Sequence, residues 1–334
     1  MIEVKKAVRI LGTGSYLPER VVTNQEIIDR FESNRSEGDK KTDRKTRPES
    51  LKKLLGAETR HAAASDEESA DLVAKAAKKI LGNSGIAPER LTRIIVTPTS
   101  SSRGEHIEPA VATFVQQKIG ATCPAFDLRS SCPGWLLAVE SAAEHIILSD
   151  NDEELILVVG SALMSRDFSI EAVQHGAIFG DGASGVILGK SKGEESCIYG
   201  CSSMTLGQYS HYISLPREGN FYMEGGDRLT KLIRNYLETC LNMLWSQTGF
   251  GPKDVDFAVI HQPTVPIFET AVEVSGVPSD RVAKNYSRLG NTISAELPIT
   301  LDEAVQEGRI KRGDKVLLLT FGAGITGASM LLKY

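Results

Sequence analysis

The fold is decided by the stretch Ala125-Phe-Asp-Leu-Arg-Ser-Ser-Cys-Pro-Gly-Trp-Leu-Leu-Ala-Val-Glu-Ser-Ala142, in which a strand-like run passes directly into a helix-forming one. Trp135 and Val139 have the spacing of neighbours on one helix face. Pro133 suits the first helical position, because no backbone N–H is needed there. The pattern predicts a helix that begins directly after Cys132 and buries one face.

Cys132 would therefore lie at the N-terminal end of this helix. The unpaired N–H groups and the positive end of the helix dipole favour an anion, and the thiolate is the nucleophilic form of cysteine. The alternative is a packing role, because most single cysteines are small buried side chains. The rest of the sequence bears on the choice.

The composition is that of an ordinary globular protein. With 334 residues, 41% of them hydrophobic, the chain can bury a large core and is expected to form two domains or one duplicated unit. The formal net charge of −5 gives no reason to expect nucleic-acid binding. No apolar run approaches the roughly 20 residues of a membrane span, and the N-terminus lacks the apolar core of a secretion signal. We therefore expect a cytoplasmic protein.

The five cysteines are an odd number without a framework spacing, which predicts free thiols in a reducing compartment. Cys197 and Cys201 are close in sequence, but no histidine or second cysteine pair accompanies them. We interpret them as packing residues and predict no metal site.

Strand and helix patterns alternate along the chain. Periodicity and apolar runs predict helices at 68–83 and 109–119 and buried strands at 93–98 and 155–160. Thr23-Asn-Gln-Glu26 predicts a helix cap. Gly12-Thr-Gly14 resembles a fragment of a dinucleotide fingerprint, but the third glycine and the acidic residue are missing. The alternation is typical of an α/β fold with parallel strand pairing.

The segment Glu32–Lys53 is dense in charge, with eight basic and five acidic residues. Its low hydrophobicity predicts a solvated surface loop that buries little. Docking of an acidic carrier or of a nucleotide phosphate is the alternative interpretation.

The second half of the chain repeats the pattern of the first. Gly85-Ile-Ala-Pro-Glu-Arg-Leu-Thr-Arg-Ile-Ile-Val96 and Gly249-Phe-Gly-Pro-Lys-Asp-Val-Asp-Phe-Ala-Val-Ile260, 164 residues apart, both read as helix end, turn and buried strand. Leu157-Val-Val-Gly160 matches Leu319-Thr-Phe-Gly322 at an offset of 162 residues. Two matches in order at nearly equal offsets predict an internal duplication.

A duplication brings equivalent strand ends together, and in parallel sheets sites collect at the carboxyl ends of strands. The first half places Cys132 there. In the second half a strand ending at Ile260 is followed by His261, and Asn291 lies before the equivalent helix. A thiol, an imidazole and an amide are therefore predicted to meet, with a core histidine and a turn asparagine as the alternatives.

Six motifs follow one another along the chain: Gly12-Thr-Gly-Ser-Tyr-Leu-Pro18, Phe126-Asp-Leu-Arg-Ser-Ser-Cys-Pro-Gly134, Phe179-Gly-Asp-Gly-Ala183, His261-Gln262, Gly290-Asn-Thr292 and Phe321-Gly-Ala-Gly324. Together they resemble the thiolase superfamily, and within it 3-oxoacyl-(acyl-carrier-protein) synthase III, the ketosynthase III type. The resemblance implies a thiolase-like five-layered αβαβα fold made of two duplicated halves, residues 1–170 and 171–334. It also implies a homodimer in fatty acid biosynthesis that needs no metal or redox cofactor.

The resemblance also implies roles for the site residues. Cys132 would take an acyl group from coenzyme A or an acyl carrier protein as a covalent thioester. His261 and Asn291 would donate hydrogen bonds to the thioester oxygen of a malonyl carrier protein and stabilise the enolate that forms as carbon dioxide leaves. The backbone N–H groups of Cys132 and Ala323 would form the oxyanion hole. The Phe179–Ala183 motif is expected to be a structural turn.

Two further positions bear on substrate binding. Arg166 matches a nucleotide-contacting arginine of the family, whereas the charged segment lacks the tryptophan that usually grips the adenine. Glu108 stands where many members have an apolar residue in a segment that lines the partner subunit's acyl pocket. A carboxylate there disfavours a plain alkyl chain, which points to an unusual or polar acyl group.

The expected activity is decarboxylative condensation of the Cys132-bound acyl group with a malonyl thioester. The alternatives are acyl transfer without decarboxylation, a non-catalytic partner subunit of a ketosynthase pair, and an unrelated cysteine hydrolase with a similar set of side chains. Retention of Cys132 with His261 and Asn291 argues against the inactive subunit, and water access to the acyl-enzyme distinguishes the hydrolase.

Overall fold

The computed structural model describes residues 8–33, 47–100, 108–166, 173–191, 197–214, 222–224 and 227–334. The strands in these ranges are β1 (Val8–Tyr16), β2 (Arg20–Thr23), β3 (Thr59–Ala62), β4 (Arg93–Ser100), β5 (Ala125–Asp127), β6 (Leu155–Leu163), β7 (Gly182–Lys190), β8 (Cys197–Thr205), β9 (Ile213–Ser214), β10 (Tyr222–Met223), β11 (Phe257–Ile260), β12 (Lys315–Gly322) and β13 (Thr326–Lys333). The helices are α1 (Asn24–Ser33), α2 (Pro48–Leu55), α3 (Ser69–Ser84), α4 (Val111–Ile119), α5 (Gly134–Leu148), α6 (Val173–Ile178), α7 (Asp227–Thr248), α8 (Val265–Ser275), α9 (Tyr286–Leu289) and α10 (Glu296–Gln306). Among the described residues, no helix is both long and apolar enough to cross a membrane.

The first large sheet has the strand order β1-β7-β6-β4-β5. β4 pairs in parallel with β5 and with β6, as the alternation of strands and helices predicted. β7 is antiparallel to both β1 and β6, so the expectation of parallel pairing throughout is wrong at this edge. The chain returns directly beside β6 after the short helix α6, whereas parallel pairing requires a crossover to the opposite end of the sheet.

The second large sheet has the order β11-β12-β13-β8 and repeats the first. β11 and β12 are parallel, as β4 and β6 are, while β13 is antiparallel to both of its neighbours, as β7 is. The equivalent of β5 is reduced to a single parallel bridge between Ala258 and Val282. The internal duplication inferred from the sequence is therefore confirmed.

The two sheets and their helices form five layers. One apolar cluster packs α3 and α4 on the outer face of the first sheet, and another packs α7 and α8 on the outer face of the second. Between the sheets, a third cluster contains α5 and α10 together with inward-facing residues of both sheets. This is the predicted αβαβα arrangement, in which the helix after Cys132 and the helix after Asn291 are paired at the centre.

The repeated turns have the same backbone form in both halves. Gly85 ends α3 with φ 66°, and Gly249 follows α7 with φ 74°, a left-handed conformation that glycine adopts without a steric penalty. Each glycine leads into a single 3-10 turn, at Pro88–Arg90 and at Pro252–Asp254. The Gly-x-x-Pro pattern of the sequence therefore marks the same helix-to-strand connection twice.

The boundary between the halves lies later than expected from the sequence. β7 pairs with β6 and β1, so the first sheet takes up the chain as far as Lys190. The predicted boundary between residues 170 and 171 would separate this strand from the sheet to which it belongs. The second half begins its own sheet with β8 at Cys197.

The charged segment Glu32–Lys53 is only partly a loop. Its residues 34–46 lie outside the described residues, but its end forms α2, which begins with Pro48. Leu51 and Leu55 of this helix are buried, because they lie one turn apart and pack beneath α1. The expectation of a solvated loop is therefore wrong for residues 48–53.

The two halves are joined at the loop that precedes α10. The Ser294 hydroxyl lies within hydrogen-bonding distance of two carbonyl oxygens of the first half, 2.6 Å from that of Thr97 and 2.9 Å from that of Ser161. A Cβ atom on Gly160 would lie 2.3 Å from the backbone oxygen of Ser294, so only glycine allows this approach. The segment that carries Asn291 is thus held against β4 and β6.

We expect the substitution Gly82→Ala to stabilise the protein by about 1 kcal/mol, because alanine loses less backbone entropy than glycine within a helix. Gly82 lies inside α3 on its exposed side, and an added Cβ would have no heavy atom within 4 Å. The urea midpoint of unfolding measures the effect. A midpoint at or below that of the wild type would show that the glycine has a structural role at this position.

Candidate active site

Cys132 lies in a tight turn between the first sheet and α5. Ser131, directly before it, has φ 48°, which is unusual for a residue other than glycine and stores backbone strain. The N–H of Gly134 donates to the Ser131 carbonyl at 3.0 Å and closes the turn. The helix begins at Gly134 with Pro133 as its N-cap, one residue later than predicted. The half-buried Cys132 side chain is thereby presented at the helix N-terminus.

His261 directly follows β11 and reaches the same place from the second half. Its backbone N–H donates to the Leu319 carbonyl at 2.9 Å, which continues the pairing of β11 with β12. The imidazole is 1% exposed, and its Nδ1 is hydrogen-bonded to the Glu296 carboxylate. The ring also meets Phe321 edge-on, with 5.4 Å between the ring centroids. These contacts fix the plane of the ring and leave Nε2 without a hydrogen-bond partner among the described residues.

The electrostatic surroundings of His261 favour its charged form. Burial by itself lowers the pKa of His261, because a buried imidazolium loses its hydration. The negative charges of Cys132 and Glu296, together with hydrogen bonding, outweigh burial and raise this pKa to about 10. An imidazolium beside the Cys132 sulfur at neutral pH favours the thiolate, which is the nucleophilic form.

Asn291 lies in the loop between α9 and α10, just after Gly290, whose φ of 62° turns the chain. Its backbone N–H donates to the Ile178 carbonyl at 2.8 Å, and its carbonyl accepts from the Gly180 N–H at 3.1 Å. The side-chain Oδ1 accepts the Ile293 N–H at 2.8 Å. This last bond sets the orientation of the amide, so Nδ2 remains as a hydrogen-bond donor.

One cavity of about 290 Å³ contains all three side chains. Cys132, His261 and Asn291 line it together with Ala323, as the sequence predicted. Most of the remaining wall is apolar and includes Met164, Ile178, Met223, Ile233, Ile267 and Ile293. An apolar cavity with a few convergent polar groups at one end is suited to an acyl chain whose reactive carbon lies at the polar end.

The end of β12 packs against the nucleophile. A Cβ atom on Gly322 would lie 2.9 Å from the Cys132 Cβ and 3.1 Å from its sulfur, so the chain approaches as closely as glycine allows. Ala323 follows directly. Among the described residues, no acceptor binds the backbone N–H of Cys132 or of Ala323, and both remain free to donate to an oxyanion.

The motif Phe179–Ala183 acts as a structural turn, as expected. Asp181 is fully buried, and its carboxylate accepts the backbone N–H groups of Ala63, Met164 and Ser165 at 2.8, 2.7 and 3.0 Å. Burial raises the pKa of Asp181 in spite of these hydrogen bonds. The turn thereby fixes the segment beside Asn291, to which Phe179 is bridged.

Neither predicted substrate-binding residue lines the cavity in the described part of this chain. Arg166 donates from Nη2 to the carbonyl oxygens of Ala64 and Glu67, and its Nη1 lies 3.7 Å from the Glu68 carboxylate. Glu108 is exposed on the surface. Both assignments stay predictions, because they concern a bound nucleotide and a partner subunit.

Sequence reasoning missed three residues of this site. Glu296 reads as an ordinary acidic residue in the first turn of a helix, and Arg129 as one charge in the Cys132 motif. Ile293 lines the cavity with φ 50°, a rare conformation for a β-branched side chain. The one available signal was position, since Glu296 lies at the start of the helix that follows Asn291.

Two other expectations concern cysteine and metal. Cys123, Cys132, Cys201 and Cys240 are free thiols, as predicted, and the side chain of Cys197 lies outside the described residues. In the described part of the chain, no three His, Cys, Asp or Glu side chains are grouped as metal ligands would be.

The nucleophilic turn belongs to one half of the duplication and the two donors to the other. A five-layered duplicated fold with this division of the site defines the thiolase-fold condensing enzymes, which are acyltransferases. Residues 126–207 match the family model for 3-oxoacyl-(acyl-carrier-protein) synthase III, and residues 245–334 match the model for its C-terminal region. The chain belongs to the 3-oxoacyl-(acyl-carrier-protein) synthase III family.

Individual relatives support this assignment over the full length. The chain is 32% identical to a beta-ketoacyl-(acyl-carrier-protein) synthase III of Methylococcus capsulatus, with 98% of each chain covered. It is also 32% identical to that of Vesicomyosocius okutanii, covering 99% of this chain and 100% of the relative. Among solved structures, the synthase III of Aquifex aeolicus superimposes with a TM-score of 0.87 at 28% identity, covering 98% of this chain and 100% of that one.

Proposed function

We propose that this protein condenses an acyl group bound to Cys132 with a malonyl thioester and releases a 3-oxoacyl thioester. The observation that carries the proposal is the meeting of Cys132, His261 and Asn291 at the polar end of one apolar cavity. The names of the relatives, as synthases acting on acyl carrier protein, support a malonyl carrier protein as the second substrate.

The reaction follows from the positions of these groups. The Cys132 thiolate attacks the carbonyl of an acyl thioester, and the leaving thiolate is protonated from water. The malonyl thioester then loses carbon dioxide, and His261 Nε2–H and Asn291 Nδ2–H donate to the oxygen of the resulting enolate. The enolate carbon attacks the acyl carbonyl, whose oxygen is held by the N–H groups of Cys132 and Ala323, and the thiolate leaves. Each of these steps uses groups that the chain itself supplies, without a metal or redox cofactor.

The proposed substrates and assembly fit the rest of the site. The apolar wall accepts an acyl chain, and Arg129 lines the cavity as an exposed cation that can attract the phosphate of coenzyme A or of a carrier's prosthetic group. We further propose a homodimer in the cytoplasm in which Glu108 reaches the partner's acyl pocket and Arg166 the nucleotide. Sedimentation as a monomer at micromolar concentration would count against the dimer.

The test is intact mass spectrometry after incubation with a panel of acyl-coenzyme A donors, with and without malonyl carrier protein. We expect an adduct on the wild type that is absent from Cys132→Ala and disappears when malonyl carrier is added. The discharged acyl group should reappear as a longer 3-oxoacyl product, with one carbon dioxide released per product.

Three other outcomes would contradict the proposal. An adduct that persists in the presence of malonyl carrier would indicate acyl transfer without decarboxylation. An adduct that is discharged by water alone would indicate a hydrolase. The absence of an adduct from every donor would indicate a subunit that supports an active partner.

A further inference from the structure

A buried carboxylate contacts the side of His261 that faces away from the nucleophile. Both His261 and Glu296 are 1% exposed, and Nδ1 of the ring is hydrogen-bonded to Oε2 of Glu296. We propose that Glu296 is a positioning residue that keeps His261 doubly protonated, so that Nε2–H still donates to substrate after Cys132 has been acylated. This inference rests on the proposed function and names the group that maintains one of its two donors.

The neighbours of Glu296 indicate that it is ionised. Its Oε2 accepts the Gln262 backbone N–H at 2.8 Å, and its Oε1 lies 3.2 Å from the Gln262 side-chain Nε2. The orientation of that amide is fixed, because Gln262 Oε1 accepts the backbone N–H groups of Asn285 and Tyr286 at 3.1 and 3.3 Å. Gln262 therefore presents only donors to Glu296, and an ionised carboxylate is a pure acceptor.

The proton on Nδ1 has a consequence for Nε2. A neutral imidazole has one donor nitrogen and one acceptor nitrogen. If Nδ1–H donates to Glu296, a neutral His261 presents only a lone pair at Nε2. That lone pair can take a proton from the Cys132 thiol, but it cannot donate to a carbonyl oxygen. Stabilisation of an enolate by Nε2 therefore requires the imidazolium.

The proton can be followed through the cycle. In the resting site the thiol proton moves from Cys132 sulfur to His261 Nε2, which leaves a thiolate and an imidazolium. Acylation consumes the negative charge of the sulfur, since a thioester is neutral. Glu296 is then the one anion hydrogen-bonded to the ring, and it opposes loss of the Nε2 proton to the leaving thiolate. When condensation is complete, the thiolate is released beside the same imidazolium.

Other charged or titratable groups stand further from the ring. Tyr286 of α9 faces Glu296 and remains neutral, because burial raises its pKa. Beyond it, Arg60 of β3 is buried and cationic, although burial lowers its pKa to about 10. Glu303 is separated from Gln262 by Asn285, whose Nδ2 donates to the Glu303 carboxylate at 2.9 Å. Glu296 is thus the carboxylate that acts directly on His261, in line with the raised pKa of the imidazole.

The first test measures the rate at which iodoacetamide alkylates Cys132 as a function of pH in the wild type and in Glu296→Gln. Without the carboxylate the imidazolium is less stable and the proton returns to sulfur, so the midpoint of the alkylation profile should rise by about 1 to 3 pH units. At pH 6.5 the rate should fall about tenfold or more.

The matched control is Glu303→Gln on the same helix, which should leave the alkylation profile in place because Glu303 does not touch His261. Cys132→Ala identifies any alkylation at other cysteines. An unchanged profile for Glu296→Gln, or an equal shift for Glu303→Gln, would overturn the proposal.

A second measurement is independent of the folding of Glu296→Gln. In Cys132→Ala protein with nitrogen-15 in its histidines, Glu296 remains and the thiolate is absent, as in the acyl-enzyme. We expect both ring nitrogens of His261 to be protonated at pH 7, and an unprotonated Nε2 would overturn the inference. Neither measurement uses a malonyl substrate, so failure of the wild type to condense would sink the proposed function while leaving this result separate.

Discussion

Replacement of Asn291 by alanine is expected to lower the rate of malonyl decarboxylation about 10²–10³-fold, the usual cost of removing one preorganised oxyanion donor. The Asn291 amide is oriented by the Ile293 N–H, which leaves Nδ2 as a donor in the cavity. Acylation should be largely retained, because the charges that act on His261 come from Cys132 and Glu296. The variant should therefore accumulate as an acyl-enzyme.

Release of carbon dioxide from malonyl carrier protein and the mass of the trapped adduct measure the two half-reactions separately. Asn242→Ala is a suitable control, because Asn242 is an exposed asparagine on α7 outside the catalytic cavity. Equal loss of acylation and decarboxylation in Asn291→Ala would contradict the assigned role and would indicate a general disruption of the loop.

The substitution Gly322→Ala is expected to slow acylation by about 100-fold, the scale of effect that a displacement of about 1 Å produces at a reacting group. The new Cβ would lie 2.9 Å from the Cys132 Cβ and 3.0 Å from the Pro133 Cδ, distances at which one atom must move. The proline ring and helix α5 are held by the buried core, so the cysteine side chain is the group that shifts.

The test is the rate of appearance of the Cys132 adduct at saturating acyl donor. Gly82→Ala serves as the matched control, because the same added methyl group on α3 meets no atom within 4 Å. An unchanged acylation rate in Gly322→Ala would show that β12 yields instead, and the tight contact would then have no part in setting the nucleophile.

Much of this site could be predicted from strand ends and the internal repeat. Cys132 and His261 follow predicted strands of the two halves, and Asn291 precedes the helix that answers the one after Cys132. Because an apolar run reports burial, the positions of such strands are readable from one sequence. The duplication then brings the two ends together without any information on side-chain contacts.

Other features had no local signal. Strand direction depends on the path of the connection, so the antiparallel setting of β7 was not readable from its residues. The helix α2 was concealed by its neighbours, because only Leu51 and Leu55 among many charges mark its buried side. The partnership of Glu296 with His261 joins residues 35 positions apart. Its recognition requires the fold that places the start of α10 behind β11.

The hydroxyl of Ser294 has a bearing on how such a protein changes over evolutionary time. The segment that supplies the Asn291 amide is also the segment that seals the two copies of the duplicated unit, through the carbonyl groups of Thr97 and Ser161. A substitution that loosens this seam moves the amide as well. Selection for turnover therefore acts on Gly160 and Ser294, and the two ancestral copies are no longer able to diverge independently.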